Sequence, residues 1–258
     1  MATLWLANAG RRNAMGPAFW DGMPGAVAEI EANESVRAVI LAARGDHFSV
    51  GLDLVEMGAT LAPMLAGGLA RERRQLFDKV HAMRRGFDAI EESRLPYIAA
   101  IHGSCIGGGL DLVAACDVRL AAAGARFSLR EARIAIVADM GSLQRLEGVI
   151  GRGHLRELAL TAKDIDAERA LRIGLVNDVL PTPGALLEAA RAMADEMARN
   201  SPLAVQGTKE VLRMSARHGA EAGMRYVAAW NAAHLASADL QEAFAAFVEK
   251  RAPSFKGE

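Results

Sequence analysis

The chain has 258 residues, 52% hydrophobic and 24% charged, enough for one large domain or one domain with an appendage. Its 30 Lys and Arg balance 31 Asp and Glu, which excludes the electrostatic footprint of a nucleic-acid or anionic-membrane binder. Two cysteines, Cys105 and Cys116, exclude a disulfide framework and a CxxC pair, and with no leader pattern and no long apolar run they point to a reducing cytoplasm.

Residues 2–7 read as a short strand, and Asn8 to Asn13 supply turn chemistry. Phe19, Met23, Val27 and Ile30 then recur at helical spacing, a helix with one buried stripe. Val36 to Ala43 is a nearly continuous apolar run, the pattern of a strand covered on both faces in the middle of a sheet. A polar loop with Gly45 and Gly51 follows. Residues 57–70, rich in Gly, Ala, Met and Pro, show no period and read as a mobile loop, with Met57 and Met64 as candidates to line an apolar pocket. Leu76, Val80, Met83, Phe87 and Ile90 predict a long amphipathic helix over 71–92, stopped at Leu95-Pro96. Residues 97–102 form the next buried strand; Gly103 and Gly107 to Gly109 end it and open an apolar helix. Strands at 117–122 and around Phe127 and Ser128 follow, so a strand, strand, helix order recurs. From Ser142 the pattern turns helical. Asp166 caps one helix and Gly174 closes it, a last strand covers 175–180, and helices broken at Ser201-Pro202, His218-Gly219 and Ser237 fill the rest. The chain divides into an α/β core, 1–195, and an all-helical region, 196–258.

Two glycine turns, 48–54 and 103–109, each follow a buried strand and lead toward a helix. Such turns leave backbone N–H groups free for a developing negative charge, an oxyanion hole or a phosphate cradle. Neither matches GxGxxG or the P-loop pattern, and glycines serving tight packing are the alternative. Three acids stand among apolar neighbours: Asp111, Glu131 and Asp139. Desolvation raises a carboxyl pKa, which suits proton transfer near neutral pH. Each also has a plain structural reading: Asp111 as a first-turn helix acid, Glu131 as a partner of Arg130 or Arg133, Asp139 as turn chemistry before Gly141. The six histidines show no paired ligand spacing, so no metal site is expected; His102 reads as structural, and Cys105 has no sign of a nucleophile's role.

Gly107-Gly108-Gly109-Leu110-Asp111 with Ala115-Cys116-Asp117, together with Phe48-Ser49-Val50-Gly51-Leu52-Asp53 and Gly141-Ser142-Leu143-Gln144-Arg145-Leu146, resembles the enoyl-CoA hydratase/isomerase (crotonase) superfamily. The resemblance covers nearly the whole chain, from Arg12 to Phe255. It implies an α/β crotonase-like (ClpP/crotonase) core of repeated ββα units and a C-terminal all-helical region that trimerises, giving a homotrimer or a dimer of trimers. It implies an acyl-CoA thioester as substrate, with coenzyme A entering only as part of it and no separate cofactor, no nucleic acid and no membrane partner. By matching position the oxyanion hole is the N–H groups of Leu52 and Gly108. Ser49, Val50, Gly51, Asp53, Leu54 and Gly107 fall on the substrate-binding motif segments. Arg12, beside Arg11, and the tail residue Lys256 fall where the family often places basic residues near CoA. The family's usual strand ahead of Ala2–Leu6 has no counterpart, which leaves the edge of the first unit open.

Hydratases of this superfamily carry glutamates at both acid positions. Here the first is Asp111, the second is Glu131, and Asp139 stands where hydratases usually have a small residue. This set and its spacing resemble Δ3,5-Δ2,4-dienoyl-CoA isomerases, which implies a reaction of the fatty acid β-oxidation type. Asp139 would take a proton from C2, Glu131 would return one to C6, and Asp111 would orient the site or tune its neighbour. Two alternatives stay open, a 2-enoyl-CoA hydratase and a non-catalytic CoA-thioester-binding oligomer.

Overall fold

The computed structural model describes residues Met1–Glu258. Most units of the chain lay one strand in a main sheet, then a short extended piece in a second layer, then helix. β1 (Ala2–Leu6) leads through a turn to α1 (Pro17–Ala32); β2 (Val39–Ala43) leads through residues 48–52 to α2 (Leu54–Ala66) and α3 (Ala70–Glu92). β3 (Tyr97–Ile101) is followed by β4 (Ser104–Ile106) and α4 (Gly108–Ala114). β5 (Val118–Ala122) is followed by β6 (Arg126–Ser128), a 3-10 turn at Glu131–Ile134, α5 (Ser142–Arg145) and α6 (Glu147–Thr161). Then come β7 (Ile165–Asp166), α7 (Ala167–Arg172), β8 (Asp178–Leu180), α8 (Pro183–Arg199), α9 (Pro202–His218), α10 (Ala220–His234) and α11 (Ala238–Glu249).

The main sheet is parallel, in the order β1-β2-β3-β5-β8, so the second strand read from the sequence is interior and β1 is an edge. Alternation along β2 and β3 divides two cores. Val39, Leu41, Tyr97, Ala99 and Ile101 face one side and join α1 and α3, while Ile40, Ala42, Ile98 and Ala100 face Leu186, Ala190 and Ala194 of α8 on the other. Both faces being covered is why these strands read as unbroken apolar runs. Helix α8 thus belongs to the sheet's back layer, and the helices without a sheet partner begin at Pro202. The chain end folds back on this region: Asp239 accepts from the N–H groups of Lys256 (2.7 Å) and Gly257 (3.0 Å), and Arg37 donates to the Phe255 carbonyl (2.6 Å). No helix is long and apolar enough to cross a membrane.

Two expectations are corrected. The segment 57–70 is not an aperiodic loop: most of it is α2. The helix forms because Asp53 caps it, its Oδ1 accepting from the N–H groups of Val55 (3.1 Å) and Glu56 (3.0 Å), while Met57 is the one buried anchor. A mostly exposed helix has no need of an apolar stripe, which is why no period shows in the sequence. The strand at 175–180 is only Asp178–Leu180. Ahead of it, side chains replace the ladder: the buried Arg119 guanidinium donates to Leu175 O (2.8 Å) and Cys116 O (2.7 Å), and Asn177 Oδ1 accepts from Arg119 N (2.9 Å).

Candidate active site

The second layer brings the two glycine turns together. Residues 48–52 run beside 102–106, with Phe48 N donating to His102 O (2.8 Å), Ser49 N to Ser104 O (2.9 Å) and Ile106 N to Ser49 O (3.0 Å). That register sets Leu52 against Gly108, the first residue of α4. A Cβ built at Gly108 would lie 3.8 Å from Leu52 N. Neither amide donates to any group of the protein, so two unpaired N–H groups sit side by side. Asn13, buried and left-handed at φ 54°, locks the approach by donating to the carbonyls of Arg44 (2.9 Å) and His47 (2.8 Å).

Gly51 shows how tightly this is built. It has φ +82°, and a Cβ would lie 2.7 Å from Ile106 O and 3.0 Å from Gly108 N, both backbone atoms. Gly51→Ala is expected to cost about 2 kcal/mol or more and to abolish turnover by separating the two amides. A melting curve and a rate on the same preparation check this, and a variant with wild-type kcat would refute it.

Leu52, Gly108, Asp111, Glu131 and Asp139 all line one cleft of about 860 Å³, whose apolar wall includes Leu61, Val80, Met83 and Ile136. Asp111 is buried, and burial pushes its carboxyl up against the opposing effect of Ser142, whose N–H donates to Asp111 Oδ1 at 2.8 Å. Glu131 is half-buried with Oε2 unpartnered. Burial first, then the neighbouring Asp111 carboxyl, raise its pKa to about 7. Asp139 stands inside an apolar run of sequence, yet it is exposed to the cleft, because the run Ile134 to Val137 lies at the surface. Its local walls still push its carboxyl above the usual range. Arg145 anchors the turn between these acids, donating to Met140 O (2.8 Å), Asp88 (2.7 Å) and Glu91 (2.8 Å). No three His, Cys, Asp or Glu side chains are placed to hold a metal ion.

The other candidates separate. Val50, Leu54, Gly107 and Arg12 line the cleft; Ser49, Gly51 and Lys256 do not. Ser49 is fully buried, donating to Asn13 O (2.7 Å) and accepting from Gly51 N (3.0 Å), and Lys256 sits on the tail held by Asp239. Asp53 touches the cleft but its carboxylate is engaged by the α2 cap and by Arg11 (3.1 Å). Asp53→Ala should therefore cost about 1–2 kcal/mol of stability with little change in KM, as melting and steady-state kinetics would read; a KM effect without a stability loss would reverse that assignment. His102 is structural, its Nε2 at 2.7 Å from Gly45 O, and burial pushes the Cys105 thiol well up, away from nucleophilic use. Met57 is a core residue, and neither it nor Met64 lines the cleft. Leu61, one turn on from Met57, takes that place, with Val80 and Met83 from α3. Sequence reasoning also misses Arg126 and Arg130 at the cleft, of which Arg130 is paired with Asp164 (2.5 Å). The signal for Leu61 is a helical phase that means nothing until α2 is known to be a helix, and the two arginines look in sequence like any solvated pair.

The family model described as enoyl-CoA hydratase/isomerase matches residues 1–258. The mitochondrial Delta(3,5)-Delta(2,4)-dienoyl-CoA isomerase of Dictyostelium discoideum is 41% identical, over 99% of this chain and 87% of that protein. The peroxisomal Delta(3,5)-Delta(2,4)-dienoyl-CoA isomerase of Arabidopsis thaliana is also 41% identical, over 94% of this chain and 88% of its own length. Among solved structures, an enoyl-CoA hydratase from Bacillus anthracis superposes with a TM-score of 0.89 at 32% identity, covering 99% of this chain and 95% of that one.

Proposed function

We infer that this chain, which belongs to the enoyl-CoA hydratase/isomerase family, isomerises 3,5-dienoyl-CoA to 2,4-dienoyl-CoA. Its fold is the crotonase fold, an α/β core with a parallel sheet and a helical C-terminal region. The observation that carries the reaction is the juxtaposition of two unpaired amides with three carboxyl groups lining one cleft, one of them holding a buried, unpartnered oxygen.

The thioester carbonyl oxygen lies between the Leu52 and Gly108 amides. Asp139 removes a C2 proton, and the electron pair of that C–H bond moves into a trienolate whose charge the two amides stabilise. When the carbonyl re-forms, C2–C3 and C4–C5 become double bonds and C6 takes a proton from Glu131. Burial, and after it the neighbouring Asp111 carboxyl held by Ser142 N–H, raises Glu131 to about 7, so that a sizeable fraction is protonated near neutral pH. No step needs a metal or a separate cofactor. Arg12 and Arg126, at the cleft and without ion-pair partners, are placed to meet the CoA phosphates.

We read the exposed Phe244, Phe247 and Val248 of α11 as subunit contacts in a trimer or dimer of trimers. The two buried free thiols fit a reducing compartment, the cytoplasm in our reading. The test of function is a substrate panel. Conjugated-dienoyl absorbance should grow from 3,5-dienoyl-CoA. Faster loss of enoyl absorbance from a 2-enoyl-CoA would make the protein a hydratase, and thermal stabilisation by CoA thioesters without turnover would make it a binding protein.

A further inference from the structure

The segment that carries the Leu52 amide is held from two sides. On one it runs beside 102–106. On the other it meets Arg12 to Met15, where Val50 N donates to Arg12 O (3.2 Å), Met15 N to Gly51 O (2.8 Å) and Asp53 N to Met15 O (3.1 Å). Met15 is thus bridged in parallel to Leu52 and grips the peptide unit on each side of it. The first grip sets a direction. Gly51 O and Leu52 N belong to one peptide unit, and in a trans unit the C=O and the N–H point opposite ways. Drawing that carbonyl toward Met15 N therefore aims the Leu52 N–H to the far side, where the neighbouring chain has turned into α4 at Gly108. The Met15 side chain, fully buried, supports the other amide: a Cβ built at Gly108 would lie 3.2 Å from its Sδ.

Trp20 holds Met15 in turn. Its Nε1 donates to Met15 O at 3.0 Å in a buried setting, a second donor on a carbonyl that already takes Asp53 N. The indole stands near the start of α1, shows an edge to the acyl cleft, and is wedged between Phe19 (5.1 Å between ring centroids) and Phe87 of α3 (5.4 Å). A buried indole N–H finds a polar partner. Here that partner is the carbonyl of the residue bridged to the Leu52 amide.

Resting on the oxyanion reading above, we propose that Trp20 is a positioning residue for the reaction: through Met15 O its N–H fixes the Gly51–Leu52 peptide, and with it the aim of the Leu52 N–H at the thioester oxygen. Packing alone does not supply this. A phenyl ring at position 20 fills most of the same space but leaves Met15 O with one donor, free to tilt about the bond from Asp53 N. A donor displaced from the oxyanion loses much of its worth in the transition state, whereas ground-state binding, spread along the apolar wall, changes little.

The experiment uses the full-length protein and a saturated acyl-CoA carrying 13C at the thioester carbonyl, which binds without reacting. Isotope-edited infrared difference spectra read how strongly that carbonyl is polarised. Wild type should move the band to lower wavenumber than in free ligand, and Trp20→Phe should return a clear part of that shift. With 3,5-dienoyl-CoA the variant should lose about tenfold in kcat and keep KM within about twofold. Replacing the indole by benzothiophene at the same position, which keeps the shape and lacks the N–H, should give the same result if Trp20→Phe folds poorly. Phe87→Leu loosens the same aromatic cluster without touching Met15 O; it should lower the melting temperature and leave the band and kcat near wild type. A wild-type band position in both position-20 variants would overturn the proposal, as would an equal loss of shift in Phe87→Leu. If the bands behave as expected and the wild type forms no dienoyl product, the isomerase reading falls while the positioning role stands, so the two failures are distinguishable.

Discussion

Asp139→Asn is expected to lower kcat for 3,5-dienoyl-CoA by about 10²–10⁴-fold, the usual worth of a positioned general acid or base, and to leave KM near the wild-type value. The substitution keeps size and shape while removing basicity. Because Asp139 is exposed, the amide stays open to solvent and folding should be undisturbed. The proposed mechanism sets binding elsewhere, at the Leu52 and Gly108 amides and the apolar wall, so the loss should appear in kcat alone. A loss confined to KM would make Asp139 a binding residue, and wild-type kcat would remove it from the mechanism. Hydration of a 2-enoyl-CoA, if the chain performs it at all, should be far less sensitive, because Asp111 and Glu131 alone flank the water that addition requires.

Glu131→Gln gives the second large effect, and it separates rate from stability. In the proposed mechanism Glu131 acts as the acid toward C6, so turnover needs its protonated form. With the carboxyl raised to about 7, kcat in the wild type should fall as pH rises through that value, and the variant, about 10²–10⁴-fold slower, should lack that limb. Stability follows from the same shift. The folded state keeps a proton that the unfolded chain, with its ordinary carboxyl near 4.5, has lost, so this group's contribution falls as pH climbs from about 4.5 through about 7. Glu131→Gln removes that dependence. The variant should melt above wild type at pH 8 and level with it at pH 4.5. Equal melting temperatures at pH 8 would show that folding does not raise the Glu131 carboxyl.

Glycine punctuation and acid spacing carry most of the site into the sequence. The pairing of 48–52 with 102–106 follows from two buried strands, each ending in glycines; Asp111 follows the second of them, and Glu131 and Asp139 follow β6, which pairs with β4 beside it. What the residues do not disclose lies where side chains replace regular patterns. Helix α2 rests on an aspartate cap and one methionine, so hydropathy shows nothing; β8 is shortened because Arg119 and Asn177 take hydrogen bonds that a ladder would have used. Asp139 looks embedded because its neighbours are apolar, but adjacency in the chain says little about burial when the segment runs along a surface. The same limit applies to Ser49 and Lys256, whose sequence neighbourhoods match a binding motif while the first is turned into the core and the second is held on the tail by Asp239.

The pairing of the Leu52 and Gly108 amides has a consequence for how a saturation mutagenesis map of this protein would look. In the proposed mechanism Leu52 supplies an amide to the oxyanion, yet its side chain is only half-buried beside the core, so many apolar replacements should score as neutral there. Gly51 supplies nothing to the substrate and should tolerate no replacement, because its backbone conformation and its closeness to Ile106 O admit no Cβ. Functional importance and mutational sensitivity are thus displaced by one residue. A map interpreted position by position would mark the neighbour of the catalytic group and pass over the group itself.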